Sequence, residues 1–430
     1  MSNKKGLLAL SPLFLLIVLI LFFTVYSVNK GDDEPNLSLT VAFLIASTYA
    51  VIISGGMPVH KRIEIYSRGA GASNLMLMLW IYVLAGAFAA SAKSMGAIDA
   101  TVNAVVDYMP PGLLLPGLFL AACFVSVSIG TSVGTIVALV PIAAGIATST
   151  HFNLPLTVAV IVGGAYFGDN LSFISDTTVV ATQTQQCAMK DKFRVNFLIV
   201  MPAAVIVLLL YAFMSAGISA PRITHAVSWI KLVPYVAVLI TAVAGMNVMA
   251  VLTFGIVLCG VIGMACGDYS LTSWLAVVGD GVLGMGELVI IAMMAGGMLE
   301  IIRQSGGIDF IISKITSRVK GKRGAELSIG CLVSLVNICT ANNTVAILTV
   351  GSIAKKISDR YGVDNRKAAS ILDTFSCFVQ GLLPYGVQML LAAGLSKVNP
   401  MSIMPYLYYP LAIGIAATLA ILLRLPKRYS

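Results

Sequence analysis

The sequence predicts an all-α polytopic membrane protein with about ten transmembrane helices plus two re-entrant hairpins, arranged as two inverted-topology repeats of five spans each. Three observations predict it. The 430 residues are 58% hydrophobic and only 10% charged, where a soluble domain carries roughly a quarter charged residues. Apolar runs of about 20 residues, the length that crosses a hydrocarbon core as a helix, recur along the chain. Short elements of the first half also return in the second at a nearly constant offset.

The first run, Leu7 to Val28, follows Lys4 and Lys5. It is long for the apolar core of a signal peptide and no clean small-residue cleavage site follows it, so a retained span is expected. Further spans are expected near 38–58, 72–93, 154–187 and 195–217, and in the second half near 231–246, 248–266, 285–304, 368–396 and 403–423. Two stretches, 112–149 and 325–357, are too long for one span and are interrupted midway by polar residues. The interruptions read Gly130-Thr131-Ser132-Val133-Gly134-Thr135 and Thr340-Ala341-Asn342-Asn343-Thr344. Each arm reaches only part way across, as in a re-entrant hairpin whose exposed backbone faces protein or water. The expected first repeat is therefore 1–218, with its hairpin at 112–149 and a broken helix at 154–187. The second is 219–430, with its hairpin at 325–357 and a broken helix at 368–396.

The duplication is legible in short matches. Leu84-Ala85-Gly86-Ala87-Phe88 returns as Met294-Ala295-Gly296-Gly297-Met298, and Ser94-Met95-Gly96-Ala97-Ile98-Asp99 as Gln304-Ser305-Gly306-Gly307-Ile308-Asp309. With one insertion, Thr131-Ser132 falls on Asn342-Asn343, and Asp169 and Asp176 fall on Gln380 and Val387. Charge placement orients the halves. Basic clusters follow the second span (Lys61, Arg62, Arg68), the fourth (Lys190, Lys192, Arg194), the eighth (Lys314, Arg318, Lys320, Lys322, Arg323) and the tenth (Arg424, Lys427, Arg428), while the first loop reads Gly31-Asp32-Asp33-Glu34-Pro35. Placing both termini in the cytoplasm puts the clusters inside and the acidic loop outside. Five spans per half then force opposite orientations, an architecture whose site lies near the midplane between discontinuous helices.

Polar residues at that depth are costly and mark function by default. The first interrupted span carries Asp169, Asn170, Ser172, Ser175, Asp176 and Thr177, downstream of Gly163, Gly164 and Gly168, which permit an unwound backbone. These are expected ion or substrate ligands, with Asp169, Ser172 and Asp176 the expected Na⁺ ligands, because hard cations take carboxylate, hydroxyl and carbonyl oxygens. Asp176 could instead cap a helix. Thr131 and Ser132 at the first tip, and Asn342, Asn343 and Thr344 at the second, join the candidate set, although hydroxyls also back-bond to helices and asparagine also caps them. Asp373 lies within an apolar helix and is expected to face the bundle interior, in a substrate or proton role or a helix-pairing one.

The remaining polar groups carry blander readings. Glu300 has Arg303 at i+3 and pairs with it on the same face, Lys93 snorkels, and Glu287 and Asp280 are further embedded acids. His60, His151 and His225 fall in loops without a metal-like or triad-like arrangement. The seven cysteines sit mostly in apolar segments, without metal-ligand spacing. No lysine or arginine is expected in the cavity. The net charge of +9 reads as topology-setting loop charge, so no nucleic-acid partner is expected. No Walker A, dinucleotide-binding or HExxH motif occurs, so energy is expected from an ion gradient and no cofactor is expected.

The stretch Gly164-Ala165-Tyr166-Phe167-Gly168-Asp169-Asn170-Leu171-Ser172-Phe173-Ile174-Ser175-Asp176-Thr177-Thr178 resembles the NhaC family of Na⁺/H⁺ antiporters, within the wider ion-transporter superfamily, and the resemblance extends over essentially the whole chain. Asn170 and Phe173 depart from the family's pattern, which often has lysine and proline there. The resemblance implies a non-enzyme that exchanges Na⁺ for H⁺ in a bacterial inner membrane, with carry-over firmest at Asp169, Ser172, Asp176 and Thr177. It leaves a homodimer open. The same family includes malate–lactate antiporters, so a carrier of a small organic anion or amino acid is the alternative, ahead of a passive channel.

Overall fold

The computed structural model describes residues 3–29, 38–108, 110–172, 175–216, 228–317 and 319–429. The acidic loop Gly31–Pro35, the family departure Phe173 with Ile174, His225 and Arg318 lie outside them. The first half runs α1 (Asn3–Asn29), α2 (Leu39–Ile53), α3 (Val59–Ala70), α4 (Ser73–Ser94), α5 (Ala97–Tyr108), α6 (Leu114–Ile129), α7 (Ser132–Thr150), α8 (Leu154–Leu171), α9 (Asp176–Gln185) and α10 (Met189–Ser215). The second runs α11 (Trp229–Val243), α12 (Val248–Cys266), α13 (Leu271–Leu283), α14 (Gly286–Gln304), α15 (Gly307–Thr316), α16 (Gly321–Thr340), α17 (Asn343–Tyr361), α18 (Asn365–Leu382), α19 (Val387–Ser396), α20 (Pro400–Ile403) and α21 (Tyr408–Leu422).

Eight stretches among the described residues are long and apolar enough to cross a membrane, or nine if the bent pair Pro400–Tyr406 and Tyr408–Leu422 is one span. The chain is a multi-pass, all-α membrane protein. The expected spans at 38–58 and 231–246 are the shorter apolar helices α2 and α11. The apolar pattern does not reveal α3, α5, α13 and α15. In α3 the reason is plain: Lys61, Arg62, Glu64 and Arg68 mask a narrow buried face of Ile65, Gly69 and Ala70, which packs on α14.

Burial sorts the helices. An 18-residue apolar segment of Leu154–Gln185 is 94% buried, whereas those of Met189–Ser215 and Val248–Cys266 are 33% buried, so α8 runs through the core and α10 and α12 face outward. Large apolar side chains such as Phe14, Phe124, Ile206 and Phe213 are exposed; on a helix of this kind they face lipid, which carries no penalty.

Left-handed residues recur along the chain at a nearly constant spacing. Left-handed residues occur at Gly56 and Gly267, Gly96 and Gly306, Gly130 and Ala341, His151 and Gly362, and Gln186 and Lys397. Packing partners are exchanged between the halves in the same way: α3 packs on α14 while α13 packs on α4, and α7 packs on α19 while α17 packs on α9. The repeated glycines of the sequence sit at two of these crossings. A Cβ on Gly86 would lie 2.3 Å from the Gly281 carbonyl oxygen, and one on Gly296 would lie 2.8 Å from the Gly69 carbonyl oxygen. These are small-residue contacts that let helix backbones touch. Gly86→Val is therefore expected to lower stability by about 1–3 kcal/mol through overpacking against backbone, read as a reduced melting temperature in detergent. Gly279→Ala, with nothing within 4 Å of its Cβ, is expected to leave it unchanged.

Candidate functional site

The two hairpins and the two broken helices converge. α6 ends at left-handed Gly130 and α7 starts at Ser132, while α16 ends at left-handed Ala341 and α17 starts at Asn343. α8 stops at Leu171 and α9 resumes at Asp176, and α18 stops at Leu382 before α19 resumes at Val387. In the second break, Pro384 supplies no N–H and disfavours helical backbone at Leu383. In the first, the glycines have a different task from the one expected. Gly163, Gly164 and Gly168 lie inside α8, and the chain leaves the helix only after them. A Cβ on Gly168 would fall 2.0 Å from Ser126 Oγ, and one on Gly164 2.5 Å from Ala122 Cβ. Gly164 and Gly168 bring α6 against α8, and so bring the first hairpin tip to Asp169, while Gly163 faces Tyr409 of α21.

Asp169 is 5% exposed and sits at the N-terminus of α7. Ser132 donates its N–H to Asp169 Oδ1 at 2.8 Å and its hydroxyl to Oδ2 at 2.6 Å. A helix N-terminus offers unsatisfied N–H groups and a positive dipole end, which together hold an anion. The carbonyl of Asp169 accepts from Ser175 Oγ at 2.7 Å and Thr177 Oγ1 at 3.1 Å. Ser175 is also the N-cap of α9, its hydroxyl accepting from the Thr178 N–H, so Asp176 is not the cap. Asp176 occupies the first turn of α9 with its side chain exposed, and Ser172 donates to the Val127 carbonyl at 2.9 Å. Of the three expected Na⁺ ligands, Asp169 is held at the hairpin tip, Ser172 is bonded to the α6 arm and Asp176 is exposed.

A second cluster lies one residue away and was not legible as a site. Lys192, expected in a cytoplasmic loop, is 1% exposed, because α10 begins at Met189 rather than near 195. Its ammonium donates to the Asn170 carbonyl at 2.7 Å, to Thr178 Oγ1 at 2.8 Å and to Asp373 Oδ2. This overturns the expectation of a core without lysine or arginine. It also shows where the freed carbonyls of the broken helix go: those of Asp169 and Asn170 are taken by protein donors. Asn196 Nδ2 donates to the Asn170 carbonyl at 2.9 Å and to its Oδ1 at 3.1 Å, while Ser370 donates to Asn196 Oδ1 and Thr374 donates to Asn170 Oδ1 at 3.2 Å. Asp373, fully buried, is thus the partner of a lysine. The signal for Asn196 was an amide within an apolar run.

The halves are also joined across the tips. Gln380 Nε2 donates to the Ala341 carbonyl at 3.0 Å and to Gln388 Oε1 at 3.1 Å, and Gln388 Nε2 donates to Ser132 Oγ at 3.1 Å. An unbroken chain of hydrogen bonds therefore runs from the second tip to the Asp169 carboxylate. At the second tip, Asn342 caps α17, its Oδ1 accepting from the Val345 N–H at 3.0 Å, and Asn343 Oδ1 accepts from the Thr344 N–H at 3.0 Å. Asn343 Nδ2, Gln380 Oε1 and Asn337 Oδ1 are buried there without a hydrogen-bond partner in the structure. A cavity of about 370 Å³, lined by Tyr82, Glu300, Arg303, Ala341, Asn342 and Val387 among others, reaches this tip.

Other expected sites resolve more simply. Glu300 accepts from Arg303 at 3.2 Å and from Gln304 at 2.9 Å, and Glu287 accepts from Ser38 and Thr40 at 2.8 Å each. Lys93, Asp280, His60 and His151 are exposed. No group of three or more His, Cys, Asp or Glu poised for a metal ion occurs among the described residues. A second cavity, of about 690 Å³, lies near the ends of α9 and α17. On its rim Arg366 hydrogen-bonds Asp364 and holds that carboxyl below the usual carboxylate range.

Comparison with known proteins agrees with the sequence resemblance. The family model described as "Na+/H+ antiporter family" matches residues 8–216 and again 218–426. The Na(+)/H(+) antiporter NhaC of Bacillus subtilis (strain 168) is 24% identical over 87% of this chain and 89% of its own length. The malate-2H(+)/Na(+)-lactate antiporter of the same organism is 22% identical over 93% and 91%. The crystal structure of the Alcanivorax borkumensis YdaH transporter aligns over 98% of this chain and 99% of that one, with a TM-score of 0.41 and 13% identity, a likeness too low to carry an argument.

Proposed function

Since this chain belongs to the Na⁺/H⁺ antiporter family, we propose that it exchanges Na⁺ for H⁺ by alternating access, with Asp169 as the carboxylate that takes one ion or the other. The observation that carries this reading is the setting of Asp169: a buried carboxylate at a helix break, held by the N-terminus of α7. Hydroxyls of Thr131, Ser132, Ser172, Ser175 and Thr177 surround that break and are the proposed neutral oxygen donors. Asp176 is proposed as an entry carboxylate, and Asn342, Asn343 and Thr344 as the polar groups flanking the path at the second tip. One site that accepts either cation, exposed to each face in turn, enforces exchange without a second binding event.

The halves are proposed to be inverted repeats that rock about this site. The recurrence of left-handed residues at offsets of 210 or 211, the exchanged packing partners and the two successive family matches support that reading. Both termini are proposed to be cytoplasmic in a bacterial inner membrane. Lys192 leaves the charge tally, but Lys190 and Arg194 remain exposed beside it.

Proton flux in everted vesicles, driven by a panel of cations and carboxylates, tests the proposal. Na⁺-dependent dissipation of ΔpH is expected, and a response to malate or amino acids without one to Na⁺ would overturn it in favour of the organic-substrate reading. That runner-up rests on the malate–lactate relative and on the unpartnered amides at the second tip. Ser132→Ala keeps the N–H bond to Asp169 and loses the hydroxyl. With a charged hydrogen bond contributing roughly 1.5 kcal/mol, the half-saturating Na⁺ concentration is expected to rise about tenfold.

A further inference from the structure

We infer that Lys192 is a built-in cation: it fills a second cation site, formed by Asp373, the Asn170 carbonyl and Thr178, and so keeps that site closed to the transported ion. The three N–H groups of its ammonium meet three oxygens, from α18, the broken end of α8, and α9. An ammonium has three donors and no acceptor, so the cage satisfies it fully. The oxygens are a carboxylate, a helix-end carbonyl and a hydroxyl, the set that a hard cation takes. Asn196, Ser370, Thr374 and Cys377 complete the wall: Asn196 also reaches Asp373 Oδ2 at 3.3 Å, and Cys377 Sγ lies 3.7 Å from Oδ1.

The scaffold does not require this cluster. At the offset of 211 that relates the left-handed residues of the two halves, the counterparts of Lys192 and Asp373 are Ile403 and Val162, both fully buried. Each half supplies one member of the charged pair and one member of the aliphatic pair that stands in its place across the repeat. Folding does not call for a charge pair in such a place, because well-packed apolar residues of similar volume hold a bundle together as well or better. Two buried carboxylates, Asp169 and Asp373, would otherwise each offer a place for Na⁺. With Lys192 tethered to one of them, a single mobile site remains, and this sets how many ions move per cycle. The inference takes only the identity of the ion from the exchange reading.

Equilibrium binding of radiolabelled Na⁺ to the purified full-length protein tests it. Lys192→Met is expected to bind one more Na⁺ than the wild type, and Lys192→Met/Asp373→Val to lose that gain. Lys192→Gln, which keeps a donor in the cage, serves if the methionine variant does not fold, with a gain expected there too. Both single variants binding as the wild type does, or a gain that survives in the double variant, would overturn the inference. The exchange reading is judged separately: its failure is a wild type whose Na⁺ binding survives Asp169→Asn, whereas the Lys192 inference is read from the difference between variant and wild type alone.

Discussion

Asp169→Asn is expected to abolish Na⁺-dependent ΔpH dissipation in everted vesicles while leaving the protein folded. The substitution keeps the shape of the side chain. Asn Oδ1 still accepts from the Ser132 N–H, and its amide nitrogen can donate to the Ser132 hydroxyl, which turns its hydrogen elsewhere. What disappears is the charge that attracts Na⁺ and the group that binds H⁺. Loss of a charged hydrogen-bond acceptor amounts to roughly 1.5–3 kcal/mol locally, small beside the complete loss of an exchangeable proton. The readout is recovery of a pH-sensitive dye on adding Na⁺, with melting temperature in detergent as the control for folding. Normal exchange by this variant would sink the assignment of Asp169.

Lys367→Leu is expected to be strongly destabilising, and Glu326→Leu/Lys367→Leu to recover most of the loss. The pair is 3.1 Å apart, with side-chain exposures of 1% and 2%. Removing the lysine strands the Glu326 carboxylate in a dry interior, a cost of about 3–5 kcal/mol. Replacing both with apolar residues of similar volume is often neutral or better. The fold supplies its own precedent: at the 211-residue offset the counterparts are Leu115 and Leu156, both buried. Thermal unfolding in detergent separates the outcomes. A double variant as unstable as the single would show that the pair does more than cancel its own charges.

The candidate site was half legible. Asp169 stood out because a carboxylate inside an apolar run needs a reason, and the Gly-Thr-Ser and Asn-Asn tips stood out as breaks in stretches too long for one span. Lys192 did not, because a lysine near the end of an apolar run reads as a loop charge. Only the early start of α10, and the distance across which α18 brings Asp373, turn it into a core residue. Gln388 was invisible for a related reason: its role depends on contacts to Gln380 and Ser132, the latter 256 residues away in sequence. The expected unwinding at Gly163, Gly164 and Gly168 was wrong in cause. Absence of a side chain permits either an unwound backbone or close helix packing, and sequence cannot say which; here helix packing won.

By itself the sequence determined the solvent, the all-α class, the places where the helices break and the matches between its two halves. Those properties are local: hydrophobic run length, the positions of glycine and proline, and the spacing of like with like. The tertiary structure decided which polar groups meet. It paired Asp169 with the N-terminus of α7, gave Asp373 to Lys192, left Asp176 exposed and linked the tips through two glutamines. Hydrogen bonds and ion pairs need a few ångströms between groups that lie up to 305 residues apart along the chain, and only the packing of the helices sets those distances.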